Sequence, residues 1–250
     1  MIRTDGRSAR QLRPVRIVKG IQAFAEGSAM ISQGRTKVLC TVSVEDRVPF
    51  FLRGQKQGWI TAEYAMLPRA TPERTPREQS RGRPSGRSME IQRLIGRSLR
   101  SVVDMGKLGE RTLTVDCDVL QADGGTRMAS ITGAYVALLD AFKTLGLTGR
   151  ASPAICAVAG LSAGIRDGEA LLDMCYEEDS SASVDFNVVM TDAGQLIEVQ
   201  GTGEARPFSR NEMDSILDAV SGGLTELFRA QNEAVGTPAK AAAAAAAALP

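Results

Sequence analysis

The chain has 250 residues, of which 43% are hydrophobic and 24% are charged, and its 30 basic and 29 acidic residues leave a formal net charge of +1. This composition is typical of a folded globular protein and excludes a uniformly basic or acidic chain. There is no histidine, which excludes Ser-His-Asp and Cys-His catalysis and every His-ligated metal site, so an enzyme of this composition must use carboxylates, arginines, hydroxyls and backbone amides.

The N-terminal part predicts a polar arm followed by strands. Residues 1–14 are polar and are expected to be extended. Residues 15–48 are rich in β-branched side chains that partly alternate, with turns marked at Gly27 and at the Gly34-Arg35 pair. Prolines and glycines then exclude a long helix over residues 68–86, so we expect a long loop there.

This loop and the segment after it carry a cluster of arginines. Between residues 69 and 100 there are nine arginines, no lysine and only three glutamates. Arginine donates two parallel hydrogen bonds to a phosphate and stacks on bases, so the cluster predicts a phosphate or RNA site; the other interpretation is a solvated charged surface. The cluster consists of Arg69, Arg74, Arg77, Arg81, Arg83, Arg87, Arg93, Arg97 and Arg100.

A helix is predicted after the loop. Ser88 is expected to cap it, and apolar residues at helical spacing extend it to about Lys107. Arg93, Arg97 and Arg100 follow at the spacing of neighbours on one helix face. The helix should therefore present an arginine row while its other face joins the core.

A glycine turn between a predicted strand and a second helix is the first candidate site. Residues 111–120 alternate as a strand does, and Asp123-Gly124-Gly125-Thr126-Arg127 follows. Glycines let the backbone approach an anion closely, and the free amides at a helix start point at it. Thr126 adds a hydroxyl and Arg127 a charge. The segment is neither a Walker loop nor a GxGxxG fingerprint, and an ordinary glycine turn is the other interpretation.

Asp179 and Asp185 form a second candidate site. Strands are predicted around residues 154–165, 169–176 and 184–200, with a hairpin turn at Asp192-Ala193-Gly194, and Asp185 enters an apolar strand. A carboxylate at such a place is usually paired or bound to a cation, and Mg²⁺ or Mn²⁺ prefers oxygen ligands. A general acid for a leaving oxygen is the alternative. The remaining interpretation is a turn cap at Asp179 and a strand end at Asp185.

The last predicted helix opens with the capping box Ser209-Arg210-Asn211-Glu212 and runs to about Gln231. Strands followed by helices, twice, predict an α/β or α+β fold in which mixed sheets carry helices on a face, in two similar halves. We expect residues 1–235 to form a single domain. Residues 236–250, which include eight consecutive alanines, are predicted to be a disordered tail.

The cellular compartment of the protein is predicted from features that the sequence lacks. It has no run of 18 bulky apolar residues, and residues 1–7 lack the apolar core of a secretory signal. The four cysteines are scattered and form no CxxC pair. We therefore expect buried free thiols, no membrane partner and a cytoplasmic protein.

Several of these segments together resemble the bacterial ribonuclease PH family over residues 8–235. The motifs are QLRPVR at 11–16, GWITAEY at 58–64, LPRAT at 67–71, EIQRLIGRSLR at 90–100, DCDVLQADGGTR at 116–127 and NVVMT at 187–191. The resemblance implies the ribosomal-protein-S5-domain-2-like α/β fold. It implies a phosphorolytic 3′→5′ exoribonuclease that trims tRNA precursors, with rRNA as a further substrate, by using inorganic phosphate and releasing nucleoside 5′-diphosphates.

The same resemblance implies roles for residues and partners. Phosphate binding falls on Arg87, Gly125, Thr126 and Arg127, and the catalytic or metal-binding acidic pair falls on Asp179 and Asp185. The resemblance places RNA contacts on the loop arginines. We add arginines of the predicted helix because that helix directly follows the loop. The family forms hexameric rings, trimers of dimers. The predicted RNA-binding residues are Arg69, Arg74, Arg77, Arg93 and Arg97.

The chain departs from the family pattern in the loop, which has Pro72 and Pro76 and lacks the usual histidine, and in its alanine tail. The absence of histidine fits phosphorolysis, because phosphate at neutral pH is already an anionic nucleophile. Two other functions remain open at this point. One is a catalytically silent ring subunit that only binds RNA, and the other is an enzyme acting on small nucleotides.

Overall fold

The computed structural model describes residues 3–82 and 84–236. Arg83, the side chain of Arg81 and the alanine-rich tail, for all of which the sequence led to predictions, lie outside what is described. Within the described part, no helix is both long enough and apolar enough to cross a membrane.

Within the described residues the strands form two sheets. The first has the order β1-β2-β3-β5-β4, with β4 parallel to β5 and the other pairs antiparallel, and the second is antiparallel with the order β7-β6-β8-β9. The strands are β1 Val15–Lys19, β2 Gly27–Gln33, β3 Thr36–Glu45, β4 Trp59–Met66, β5 Thr112–Gln121, β6 Val158–Arg166, β7 Glu169–Leu172, β8 Val184–Thr191 and β9 Leu196–Gly203.

Helices pack on these sheets, which confirms the predicted mixed-sheet α/β architecture. The helices are α1 Gly86–Arg100, α2 Met105–Leu108, α3 Thr126–Thr144, α4 Tyr176–Asp179 and α5 Arg210–Val235, with 3₁₀ turns at Phe50–Leu52, Glu78–Arg81 and Gly149–Ala151. The capping box at Ser209 and Glu212 is present. The hairpin turn at residues 192–194 is also present.

The first long helix differs from its prediction at both ends. Its N-cap is Ser85, whose Oγ accepts a hydrogen bond from the Ser88 amide at 3.1 Å, so Arg87 lies within the first turn. The Ser88 hydroxyl instead donates to Glu78 at 2.7 Å and ties the preceding loop to the helix. The helix ends at Arg100, because Asp104 caps a separate short helix through the amides of residues 106 and 107.

Helix α3 contacts both sheets and is buried on nearly every side. Close approach is possible because two strands carry glycine where they face it. A Cβ on Gly27 would lie 2.2 Å from the Ala137 carbonyl oxygen, and one on Gly160 would lie 2.7 Å from the Met128 sulfur. Gly27 therefore begins β2 and meets a helix; the prediction of a turn there was wrong. This packing fixes the N-terminal end of α3 against β6.

The N-terminal segment differs most from expectation. The sequence predicts a polar extended arm, but Arg3, Arg7 and Arg13 are 3%, 7% and 4% exposed. Their burial is possible because Asp173 and Glu178, both fully buried, neutralise them. The four cysteines are free as predicted; two of them are fully buried and two are half-buried.

Candidate active site

One cavity is lined by both the predicted phosphate-binding residues and the acidic pair. Its volume is about 550 Å³, and it lies where α1, α3 and α4 begin or end beside β8. Arg87, the Gly125-Thr126-Arg127 turn, Asp179 and Asp185 all line it, although they come from four separate parts of the chain. The rest of the lining is Met66, Thr71, Pro72, Glu73, Ala122, Gly124, Ser162, Tyr176 and Asn187.

The glycine turn has the backbone conformation that glycine alone adopts easily. Gly124 and Gly125 have φ of +78° and +67°, and a Cβ on Gly124 would lie 2.3 Å from the Met174 carbonyl oxygen. Gly125 is the N-cap of α3 and provides no capping side chain. The first amides and the positive end of the helix dipole therefore remain available to an anion in the cavity.

The two side chains after the glycines are held by residues of other strands. The Thr126 hydroxyl lies 2.8 Å from the hydroxyl of Tyr64, a buried residue of β4. Burial raises the pKa of Tyr64, so this phenol stays protonated at neutral pH. Arg127 donates from Nη1 to Gln200 of β9 at 3.3 Å. These contacts orient a hydroxyl and a guanidinium beside the helix start.

The acidic pair lies opposite these cations. Asp179 ends α4, and Asp185 is the second residue of β8. Burial raises the pKa of Asp179, while Arg127 and Arg87 oppose the shift. Burial and the Asp179 carboxylate raise the pKa of Asp185 to about 6, against the effects of Arg127 and of a 3.0 Å hydrogen bond from Asn187. With a pKa of about 6, Asp185 is mostly ionised at neutral pH and lies close to the range in which it takes up a proton.

The donor set fits a divalent cation only together with a substrate. Among the described residues there is no group of three or more His, Cys, Asp or Glu side chains that could hold a metal ion. Mg²⁺ is commonly held by one or two carboxylates, with waters and substrate phosphates completing its shell. Asp179 and Asp185, lining the same cavity as an anion site, match that pattern.

The loop arginines lie outside the cavity. Arg69, Arg74 and Arg77 are exposed, and the loop reaches the cavity through Thr71, Pro72 and Glu73. Within the part of the chain that is described, the side chains of Arg69 and Arg74 have no hydrogen bond or ion pair. They are therefore free to bind an anion.

The helical arginine row does not reach the cavity either. Arg97 forms an ion pair with Glu198 at 2.8 Å, and Arg93 is exposed. Arg100 donates to the Ile60 carbonyl at 2.8 Å and lies 4.4 Å from the centre of the Trp59 ring. The row therefore sits apart from the acidic pair.

Four residues of the site were not predicted from the sequence. Asn187 could have been predicted, because it lies two residues after Asp185 and therefore shares the same face of the strand. Tyr64 and Gln200 gave no local signal, since they act on α3 from distant strands. Ser162, a buried cavity residue of β6, has a hydroxyl with no hydrogen-bond partner among the described residues.

Known protein families match both halves of the chain. A model described as 3′ exoribonuclease family, domain 1, matches residues 11–143, and one described as domain 2 of that family matches residues 156–219. Each match contains all the strands of one of the two sheets.

Individual relatives agree with the family match. Ribonuclease PH of Corynebacterium kroppenstedtii is 54% identical over 239 residues, which cover 95% of this chain and 94% of the relative. Ribonuclease PH of Dehalococcoides mccartyi is 56% identical over 233 residues, which cover 92% of this chain and 97% of the relative. A solved structure of the Archaeoglobus fulgidus exosome with RNA bound to the active site is 25% identical, covers 90% of this chain and 92% of its own, and has a TM-score of 0.75. The chain belongs to the ribonuclease PH family of 3′ exoribonucleases.

Proposed function

We propose that the chain is a phosphorolytic 3′→5′ exoribonuclease, a phosphate-dependent nucleotidyltransferase that shortens RNA by one nucleotide at a time. One observation carries the proposal: Arg87, Arg127 and the amides at the start of α3 line the same cavity as Asp179 and Asp185. A site with several anion-binding groups facing two carboxylates suits the transfer of a phosphoryl group between two oxyanions. The family membership supports the same reaction.

The nucleophile is inorganic phosphate, which is also the co-substrate. Its oxygen forms a new bond to the phosphorus of the terminal phosphodiester, and the bond from that phosphorus to the 3′-oxygen breaks. The products are a nucleoside 5′-diphosphate and an RNA with a new 3′-hydroxyl. A phosphoanhydride bond in the diphosphate replaces a phosphodiester bond of the RNA and no water is consumed, so the reaction runs in both directions and adds nucleotides from diphosphates.

The protein contributes positioning and charge rather than a base. Phosphate is already an anion, so the barrier is the approach of one polyanion to another. Arg87, Arg127, the Thr126 hydroxyl and the amides near Gly125 hold phosphate in line with the scissile bond. The same cations stabilise negative charge on the transferring group.

The acidic pair acts on the departing 3′-oxygen. Asp185, with its raised pKa, either holds a divalent cation together with Asp179 or supplies the proton that the 3′-oxygen takes up. We favour Mg²⁺ or Mn²⁺ binding, because such an ion also shields two carboxylates from the RNA. A bound ion supplies charge neutralisation and Lewis acidity at the phosphates.

The RNA strand that leads to the scissile bond is held outside the cavity. Exposed Arg69, Arg74 and Arg77 contact the backbone of the incoming strand, with Arg93 and Arg97 as further predicted contacts on α1. We propose the 3′ extensions of tRNA precursors as the main substrate. The solved relative, an exosome with RNA bound to the active site, supports an RNA substrate. We further propose that the chain assembles with copies of itself into a hexameric ring, a trimer of dimers.

We also propose that residues 1–235 act as one domain. Helix α5 contacts β1 of the first sheet as well as β6, β7 and β8 of the second. The N-terminal segment adds buried ion pairs to Asp173 and Glu178, which follow the second sheet's edge strand β7. Two halves joined in this way should unfold together.

Identifying the released nucleotide tests the proposed reaction. The purified protein is incubated with a 3′-extended tRNA and phosphate, and the products are separated by charge. Nucleoside 5′-diphosphates are expected. Release of 5′-monophosphates would indicate hydrolysis and refute phosphorolysis, and intact RNA bound without any product would indicate a silent RNA-binding subunit.

A further inference from the structure

A buried arginine lies behind the phosphate-binding turn. Arg13 is 4% exposed and forms a two-point contact with the Asp173 carboxylate, from Nε at 3.0 Å and from Nη2 at 2.5 Å, and its own backbone amide donates to the same carboxylate at 2.7 Å. Gln33 adds a further hydrogen bond to Asp173 at 2.8 Å. The guanidinium is thus fixed in orientation by a fully buried carboxylate.

The other side of this guanidinium holds the turn itself. Arg13 donates from Nη1 to the Asp123 carbonyl and from Nη2 to the Gly124 carbonyl at 3.4 Å. The hydroxyl of Thr36, at the start of β3, also donates to the Gly124 carbonyl, at 2.7 Å, and accepts from the Asp123 amide at 3.0 Å. Both carbonyls immediately before Gly125 therefore point away from the cavity.

Holding these carbonyls fixes the amides that follow them. In a peptide unit the carbonyl and the next amide are coplanar and point in opposite directions. Carbonyls of Asp123 and Gly124 that are turned toward Arg13 therefore turn the amides of Gly124 and Gly125 the other way. A Cβ on Gly125 would lie 3.3 Å from Arg13 Nη2, so the cation is directly behind the turn.

The neighbouring network extends to the acidic pair. Arg3 binds both carboxylate oxygens of Glu178, at 2.7 and 2.6 Å, and Glu178 directly precedes Asp179. Arg3 also donates to the Asp173 carbonyl at 3.1 Å. The buried Arg3–Glu178 pair therefore adjoins the Arg13–Asp173 pair and connects it to the residue before Asp179.

We infer that Arg13 is a positioning residue for the phosphate nucleophile: held by Asp173, it presets the Asp123–Gly125 backbone for anion binding and adds a buried positive charge behind it. The inference rests on the proposed phosphorolytic function and deepens it. No substrate contact is involved, since the guanidinium is enclosed by protein. Replacing Arg13 should therefore weaken phosphate binding and leave RNA binding unchanged.

Steady-state kinetics on the full-length protein test this role. Arg13→Gln is expected to raise KM for phosphate about tenfold and to leave KM for a 3′-extended tRNA within about twofold, because the misplaced backbone belongs to the phosphate site alone. Asp173→Asn should act in the same direction. The matched control is Arg16→Gln, an exposed arginine three residues later on β1.

A milder variant keeps the test decisive if loss of the buried ion pair prevents folding. Thr36→Val preserves shape and the Arg13–Asp173 pair but removes one anchor of the Gly124 carbonyl, and it should raise KM for phosphate about two- to threefold. An unchanged phosphate KM in folded Thr36→Val or Arg13→Gln overturns the inference, as does an equal rise in both KM values. A wild-type protein whose activity ignores phosphate would instead refute the proposed function.

Discussion

Two arginine-rich segments of this chain have opposite placements. Arg3 and Arg13 of the N-terminal segment are buried, and each binds a carboxylate at two points. Arg69 and Arg74 of the loop are exposed, and within the described residues neither side chain has a hydrogen bond or ion pair. Arginine side chains thus stabilise the fold in the N-terminal segment and remain available to a ligand in the loop.

The comparison teaches that unpaired arginine, rather than arginine content, marks the substrate surface. A buried guanidinium that a carboxylate binds at two points has little left to offer a phosphate, whereas an exposed and unpaired one gains a charge-assisted hydrogen bond on contact. Arg87 and Arg127, which line the cavity without an ion pair among the described residues, belong to the available class. Three predictions on arginines test this division and one tests the acidic pair that faces the cavity arginines, from the largest expected effect to the smallest.

Removing an available arginine inside the cavity should affect catalysis most. Arg127→Ala is expected to lower kcat/KM for phosphate about 10²- to 10³-fold, because it removes a cation facing both phosphate and the transition state. RNA affinity measured without phosphate should change less than about threefold. Arg229→Ala, an exposed arginine of α5, is the control. A variant that responds to phosphate as the wild type does would contradict the role of Arg127.

Removing a buried paired arginine should affect stability instead. Arg3→Ala removes the two-point partner of the buried Glu178 and leaves the longer Arg7 ion pair at 3.5 Å, and breaking a buried ion pair typically costs about 3–5 kcal/mol of unfolding free energy. Arg74→Ala should change it by less than about 0.5 kcal/mol, because the side chain is exposed. Urea denaturation followed by circular dichroism measures both. Equal stability losses in the two variants would abolish the distinction between the segments.

The acidic pair should also make stability depend on pH. Because the pKa of Asp185 is raised to about 6, the folded protein holds this proton more tightly than the unfolded chain does, so stability falls as pH rises from about 4 to 6. Asp185→Asn should therefore exceed the wild type by about 1–3 kcal/mol at pH 8 without divalent ions, and match it below pH 4. A less stable variant at pH 8 contradicts this account, and added Mg²⁺ should narrow the gap if the pair binds metal.

A single loop arginine should have the smallest effect. Arg74→Ala is expected to weaken RNA binding about two- to fivefold and to reduce the salt dependence by about one phosphate contact. KM for phosphate should not change, because the side chain lies outside the cavity. Fluorescence anisotropy across a salt series measures the slope, with Arg210→Ala on α5 as control. An unaltered slope would remove Arg74 from the RNA surface.

Much of the fold could be predicted because its signals are local. Alternation identified β5, and the capping box identified the start of α5. Two serines, Ser85 and Ser88, lie near the start of α1, and the predicted cap was the wrong one of the two. Four-residue α4 is too short to show a period. Burial of Arg13 could not be predicted, since its partner Asp173 lies 160 residues away.

The candidate site was predicted in pieces. The glycine turn and the acidic residues each have a local chemical reason, and their occurrence in one cavity is a result of the fold. Local sequence does not show that Tyr64 reaches Thr126 across 62 residues, or that Gln200 reaches Arg127 across 73. Residues that position a site from other strands carry no motif of their own.

The phosphate dependence of RNA trimming tests the central claim most directly. With a 3′-extended tRNA at fixed concentration, the rate of nucleotide release is measured as inorganic phosphate is raised from zero. The account predicts no release without phosphate, a saturable rise as phosphate fills the cavity, and transfer of labelled phosphate into the β-position of the diphosphate product. Release at the same rate with phosphate absent, and no label in the product, would contradict it.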